Sequence, residues 1–265
     1  MEYTAIKYDV LGPQARITLN RPHVRNAINH EMEVEVKDAL VKANEDERVK
    51  AIVLTGAETA FCSGIDLKLH KGRSTPEARA HFESFYWGFH TTHRSLAKPT
   101  IAMLNGPARE AGCTIAFMCD MIIAAESATL GLPAVDRGIV PAYHLAYLPR
   151  VMGKVKAFEF CFSGELMTAQ DAERNGVFNK VVPQAELEAA VEQAVGRFAT
   201  KSPTVMKVGK ELFYRLMDMQ ASAATGSRVR TSSRSSRRRS GTCRRSASRA
   251  SCRHTAPAGE PSMRS

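Results

Sequence analysis

The sequence predicts a mixed α/β fold, a spiral of strand–loop–helix units with a helical C-terminal region. Three observations point there. Short apolar runs such as Lys50–Thr55 and Thr100–Leu104 have the near-continuous hydrophobicity of strands buried on both faces. Each run delivers a glycine-bearing loop to what would be one rim, as in Ala60-Phe61-Cys62-Ser63-Gly64-Ile65-Asp66-Leu67-Lys68 and Asn105-Gly106-Pro107-Ala108-Arg109-Glu110-Ala111-Gly112-Cys113-Thr114. Beyond about residue 142 the patterning becomes mostly helical. No G-x-G-x-x-G or G-K-[ST] pattern occurs, so a dinucleotide-binding sheet and nucleotide hydrolysis have no support.

In chain order, Ile6–Val10 and Arg16–Asn20 read as two strands joined by a turn at Gly12-Pro13. Asn29 is placed to cap a helix running to about Asn44, with Met32, Val36, Ala39, Leu40 and Ala43 on one face. After the Lys50–Thr55 strand and its loop, Ser74-Thr75-Pro76-Glu77 starts a helix that should reach about Ala97, with Phe82, Phe85, Phe89 and Leu96 inward. Lys98-Pro99 ends it. A short helix is expected after the Asn105–Thr114 turn, then strands at Met121–Ala125 and Thr129–Gly131. Helices follow at about 142–151, 154–162, 168–175, 184–201 and 203–219, with a strand at Val177–Val182 between them. Thr168 caps one of these helices and Pro203 opens another.

Charge separates the chain into parts. The net charge of +10 falls entirely on residues 226–265, which hold 11 Arg, no Lys and a single acidic residue, Glu260. The remaining chain has 26 basic and 26 acidic residues. Its balance gives no reason to expect nucleic-acid binding by the folded part. The expected organisation is a spiral core over 1–200, the start of a C-terminal helical region over 201–225, and an Arg/Ser-rich tail over 226–265. That tail lacks Leu, Ile, Phe, Tyr, Trp, Asn, Gln, Asp and Lys. It cannot build a core, and reads either as a disordered basic arm or, more simply, as the product of a reading-frame slip. No apolar run is long enough to span a bilayer, Met1-Glu2-Tyr3-Thr4 begins no signal peptide, and the six cysteines form no CxxC pair. Cys62, Cys113, Cys119 and Cys161 then read as reduced packing thiols of a cytoplasmic protein, with no metal site and no membrane partner.

Two Gly/Ala-rich turns facing each other at the ends of strands can present backbone N–H groups to a developing oxyanion. At these residues the chain resembles the crotonase, or enoyl-CoA hydratase/isomerase, superfamily. The likeness runs from about residue 3 to 219 through Leu19-Asn20-Arg21-Pro22, Asn26-Ala27-Ile28-Asn29, Ala60–Lys68, Ala102-Met103-Leu104-Asn105-Gly106, Cys119-Asp120, Ser163-Gly164 and Ala169-Gln170-Asp171-Ala172. The resemblance implies a ββα spiral whose C-terminal helices trimerise, as a homotrimer or a hexamer. It implies chemistry on an acyl-CoA thioester through an enolate held by the N–H groups of Ile65 and Ala111, each donor contributing ~3 kcal/mol. Coenzyme A enters as part of the substrate, with no permanently bound cofactor. It would lie along Arg25, Asn26, Ala27 and Ile28, with Ser63, Asp66, Leu67 and Lys68 near its adenine and phosphates. Each of these eight could equally be an ordinary loop residue.

The sequence also departs from the family pattern. Hydratases of this family use two glutamates on one water. Thr114 and Ala134 stand at those two positions, and a third carboxylate position falls near Pro141. This resembles the branch lacking the hydratase glutamates. Remaining titratable candidates are Glu110, Asp136, His144 and, after them, His90 and Tyr143. Glu110 stands where the family has glycine and could either face the pocket mouth or pair with Arg109. Asp136-Arg137 could be a loop ion pair. For each a structural role is the simpler reading, with His144 the best single candidate for proton transfer. The expected activity is therefore atypical isomerisation, hydrolysis or decarboxylation, with ordinary hydration weak. The alternative is a non-catalytic acyl-CoA-binding protein. A truncated C-terminal region would leave the pocket open and the assembly weakened.

Overall fold

A computed structural model describes residues 2–70 and 75–219; the predicted tail, Ser74, and the side chain of Phe82 lie outside the described residues. Strands β1 (Ile6–Leu11) and β2 (Gln14–Leu19) form an antiparallel hairpin around Gly12, whose φ of +57° suits the turn. From β2 the main sheet continues in parallel through β3 (Ala51–Gly56), β4 (Thr100–Leu104), β6 (Met121–Ala125) and β9 (Lys180–Val182), in the order β1-β2-β3-β4-β6-β9.

Alternate residues of the central strands serve two different cores. Ile52, Leu54, Ala102, Leu104, Ile122 and Ala124 join the larger cluster beneath α1 (His30–Glu45), α2 (Thr75–Ser95) and α3 (Ala111–Met118). Their neighbours Ala51, Val53, Ile101, Met103, Ile123 and Ala125 pack instead with Leu187, Val191 and Val195 of α7 (Leu187–Ala199). Burial on both faces explains why β3 and β4 read as continuous apolar runs rather than as alternating ones.

The α1 helix follows its sequence signals closely. The Asn29 side chain accepts from Met32 N–H at 2.9 Å, and the predicted face Met32, Val36, Ala39, Leu40 and Ala43 is fully buried. Phe85, Phe89 and Leu96 are buried as expected, although α2 stops at Ser95. The helices α4 (Ala142–Val151), α5 (Lys154–Ser163), α6 (Ala169–Arg174) and α8 (Pro203–Asp218) lie close to their predicted spans, with the Thr168 hydroxyl capping α6 through Asp171 N–H.

Three expectations need correction. The strand expected at Val177–Val182 shortens to Lys180–Val182. The N–H groups of Val177 and Phe178 fold back onto Ala172 O at the end of α6, at 2.8 and 3.2 Å, and are lost to the sheet. The helix expected over 184–201 begins as a separate 3-10 turn, Gln184–Glu186. The strand expected at Thr129–Gly131 forms as β7, but it belongs to a second sheet with β5 (Ala108–Arg109) and β8 (Leu166–Thr168), two strands that were not expected because runs of two or three residues carry no measurable periodicity. No helix among the described residues is long and apolar enough to cross a membrane.

Candidate active site

The loops after β3 and β4 meet because those strands are neighbours in a parallel ladder, so both chains emerge at the same edge. Backbone hydrogen bonds then join the loops. Phe61 N–H donates to Pro107 O at 3.1 Å, and Arg109 N–H donates to Cys62 O at 2.9 Å. Asn105 ties them from the side, accepting from Gly56 N–H at 3.1 Å and donating to Glu58 O at 2.8 Å. A third loop joins through Ile28 N–H to Gly64 O at 2.8 Å and Asp66 N–H to Ile28 O at 2.9 Å. The sequence-predicted segments 25–28, 63–68 and 108–114 therefore share one rim.

Two glycines permit this close approach. A Cβ on Gly112 would stand 2.4 Å from Cys62 O, so only glycine lets α3 begin against the first loop. Gly64 has φ +101°, and a Cβ there would lie 3.1 Å from Glu110 Cβ and 3.7 Å from Ala111 N. Ile65 and Ala111, each expected to donate a backbone N–H, flank this contact. Neither N–H donates to any group among the described residues. Ala111 is also the first residue of α3, where the helix leaves its N–H groups without internal partners and its dipole favours negative charge.

Glu110 precedes it with φ +48° and ψ −115°, a conformation rare for any residue with a β-carbon and costing about 1–3 kcal/mol. Its main chain is pinned there. The N–H donates to Gly131 O at 3.1 Å, and its carbonyl accepts from Thr114 N–H at 3.0 Å and Thr114 Oγ1 at 3.3 Å. The side chain does not pair with Arg109, which instead donates to Ala108 O, Thr129 O and Thr129 Oγ1. The Glu110 carboxylate reaches across to the second sheet's loop, where Oε1 accepts from Ala134 N–H at 2.5 Å. Burial raises its pKa, opposed by that hydrogen bond and by Arg137.

The other candidates fall elsewhere. Thr114 and His144 are brought together, Oγ1 to Nε2 at 3.3 Å, but both side chains are buried. The Thr114 hydroxyl also meets Tyr86, whose phenol burial pushes up to about 12. His144 packs edge-on to Phe117 and Tyr143, and burial pushes its pKa down to about 4. At neutral pH it is a neutral imidazole set into the core. Asp136 is exposed and forms no ion pair with Arg137 among the described residues. A Cβ on Gly164, at the end of α5, would come within 2.9 Å of its carboxylate oxygens.

The residues expected along coenzyme A divide into scaffold and free surface. Asn26 is fully buried; its Oδ1 accepts from Arg21 N–H at 3.0 Å, and its Nδ2 donates to Ala57 O and Ala60 O at 3.0 and 2.8 Å. Ser63 donates to Val24 O at 3.1 Å, Asp66 pairs with Arg21 at 3.2 Å, and Ala27 and Ile28 are buried. Arg25, Leu67 and Lys68 are exposed. Arg25 and Lys68 are thus the cationic side chains this rim turns toward solvent, while Asn26 and Asp66 hold its shape.

Residue-type reasoning missed one contact between named candidates and one participant. The reach of Glu110 to Ala134 depends on a 24-residue separation closed by the second sheet, for which no local pattern exists. Tyr86 lies one residue after Phe85 on α2, and its contact with Thr114 was hidden behind the aromatic core pattern. The four described cysteines are free and buried, and burial pushes Cys62 and Cys113 up to about 12, so neither is a nucleophile at neutral pH.

Comparison with known proteins points the same way. A family profile described as Enoyl-CoA hydratase/isomerase matches residues 14–240. The chain is 35% identical over 221 residues to a probable enoyl-CoA hydratase of Rhizobium meliloti, covering 83% of this chain and 84% of the relative. It is 33% identical over 212 residues to a crotonyl-CoA hydratase of Syntrophomonas wolfei, covering 79% of this chain and 81% of the relative. Among solved structures, an enoyl-CoA hydratase of Mycobacterium smegmatis superimposes with a TM-score of 0.78 at 30% identity, covering 84% of this chain and 87% of the other.

Proposed function

The chain belongs to the enoyl-CoA hydratase/isomerase family, and from that premise we propose that it binds an acyl-CoA thioester and stabilises its enolate. The thioester oxygen would sit between Ile65 N–H and Ala111 N–H, and the phosphates near Arg25 and Lys68. The observation that carries this reading is the pair of backbone donors flanking the Gly64–Glu110 contact, with no partner of their own among the described residues. When an α-proton leaves, charge moves onto the thioester oxygen. Two fixed N–H dipoles and the α3 N-terminus then stabilise that charge without reorganisation.

Ordinary hydration of a 2-enoyl thioester should be weak. Thr114 and Ala134 replace the expected glutamates, and the Thr114 hydroxyl, buried and bonded to Glu110 O, is no general base. Titration calorimetry with butyryl-CoA tests binding, and a crotonyl-CoA hydration assay tests the second statement. Saturable binding with little hydration is expected; absence of binding would overturn the reading. Hydration at ordinary family rates would overturn its atypical part. A purely binding role remains the alternative, decided by whether bound thioester exchanges its α-proton.

Self-association as a homotrimer or hexamer is proposed from the resemblance and supported by apolar side chains left exposed on α5 and α8, including Val155, Phe158, Val205 and Phe213. Light scattering measures it directly, and a monomer at micromolar concentration would refute it.

A further inference from the structure

We propose that Glu110 is the proton-transferring carboxylate of this site. The inference rests on the enolate-holding function proposed above and adds the group that would make the enolate.

Three linked observations single out the residue. It stands where glycine would be the unstrained choice, with φ +48° and ψ −115° held by bonds to Gly131 and Thr114. It immediately precedes Ala111, and a Cβ built on Gly64, the neighbour of Ile65, would lie 3.1 Å from Glu110 Cβ, so the side chain starts beside the two residues that carry the N–H donors. Its carboxylate then lies on Ala134 N–H, at the position where the sequence lacks an expected glutamate. A carboxylate absent from the side chain of residue 134 is thus held at that residue's main chain from another element. Oε1 is committed to that hydrogen bond, while Oε2 has no hydrogen-bond partner among the described residues. Strain retained beside a reacting position, rather than relieved by glycine, is what a functional side chain would require.

One carboxylate suffices for an allylic proton shift. Oε2 takes a proton from C2 of a 3-enoyl thioester, and the C2–H electron pair becomes the C1=C2 bond of the enolate. The oxygen charge rests on Ile65 and Ala111 N–H. As the carbonyl re-forms, the C1=C2 pair becomes C2=C3, and the C3=C4 pair takes the proton from the carboxylic acid at C4. Nothing is consumed, and no second carboxylate or water is needed, unlike in hydration. Arg137, Tyr86 and Cys113 are the charged or titratable groups that act on Glu110. The two tyrosine and cysteine protons stay bound through neutral pH, leaving Arg137 as the fixed charge beside it.

The test uses the full chain with 3-butenoyl-CoA for isomerisation and butyryl-CoA in D2O for α-proton exchange by NMR. Glu110→Gln keeps an oxygen for Ala134 N–H and should fold and bind butyryl-CoA within threefold of the parent, while both rates fall about 10²–10⁴-fold. Glu110→Gly should relieve the strained backbone, raise the melting temperature and be equally inactive. In the parent, exchange should rise with pH through one carboxylate ionisation, a limb missing from the Gln variant. A parent chain that binds without exchanging deuterium overturns the proposal. So do Gln or Gly variants that retain the parent rates. If the parent does not bind butyryl-CoA, the underlying function fails as well, which calorimetry reports separately.

Discussion

Gly112→Ala probes how closely the two loops must approach. The added methyl would stand 2.4 Å from Cys62 O and 2.8 Å from Cys62 Cβ, against 3.4 Å for an ordinary contact. Because the nearest obstacle is backbone, the start of α3 must move by about 1 Å, enough in an aligned site to cost about 10²-fold in rate. The same factor follows from weakening one oxyanion donor, about 3 kcal/mol. Stability should change far less. Overpacking costs about 1–3 kcal/mol, while alanine in a helix regains about 1 kcal/mol over glycine. The expected outcome is α-proton exchange of butyryl-CoA reduced about 100-fold, with an unfolding free energy lower by about 2 kcal/mol or less. Gly196→Ala in α7, where a Cβ would meet nothing within 4 Å, should leave exchange unchanged. Exchange in the Gly112 variant within threefold of the parent would refute the idea that this contact aligns the donors.

Three further outcomes are expected. Asn26→Ala removes three hydrogen bonds that span the Arg21, Ala57 and Ala60 backbones, and should cost about 3 kcal/mol in urea unfolding at about 1 kcal/mol each; a loss under 1 kcal/mol would show the loops hold without it. Arg25→Ala with Lys68→Ala should weaken coenzyme A binding about tenfold, and less so in high salt, as expected of exposed point charges; a salt-independent loss would argue against phosphate contacts. Burial holds His93 and His144 at about 4, so the unfolded chain takes up protons near its ordinary value while the folded chain does not. Their contribution to stability is full above about pH 6.5 and falls as pH drops toward 4, by on the order of 1–3 kcal/mol each. His144→Gln should flatten that limb in a pH series of denaturation curves, and an unchanged slope would contradict a neutral buried imidazole.

The main sheet and helices were legible because local patterns carry them: Asn29 before a 3.6-residue apolar period, Pro203 at a helix start, and unbroken apolar strands between helices. What failed was short or long-range. Ala108–Arg109 is too brief to show alternation, yet it pairs with Thr129–Gly131 and brings residue 110 to residue 134. Two alternatives were open for Glu110, a pocket-facing side chain or a partner for Arg109, and the Arg109 bonds to Thr129 remove the second. His144 looked promising as a residue type; its burial beside Phe117 and Tyr143 makes it a poor base. Asn26 was expected along coenzyme A, and its side-chain amide is occupied by Arg21 N–H and two loop carbonyls. Residue type named candidates, but only packing divides scaffold from free surface.

The parallel pairing of β3 with β4 gives the two kinds of group at this rim different evolutionary footing. As proposed, Ile65 and Ala111 would contribute through the main chain, so their donors would survive most side-chain replacements that keep the glycines beside them. A carboxylate, by contrast, depends on the residue type at its own position. On that reading, the part that holds charge is independent of the part that moves a proton. On the proposed reading, the residue types at 114, 134 and 110 decide which proton moves, on a frame whose donors belong to the main chain.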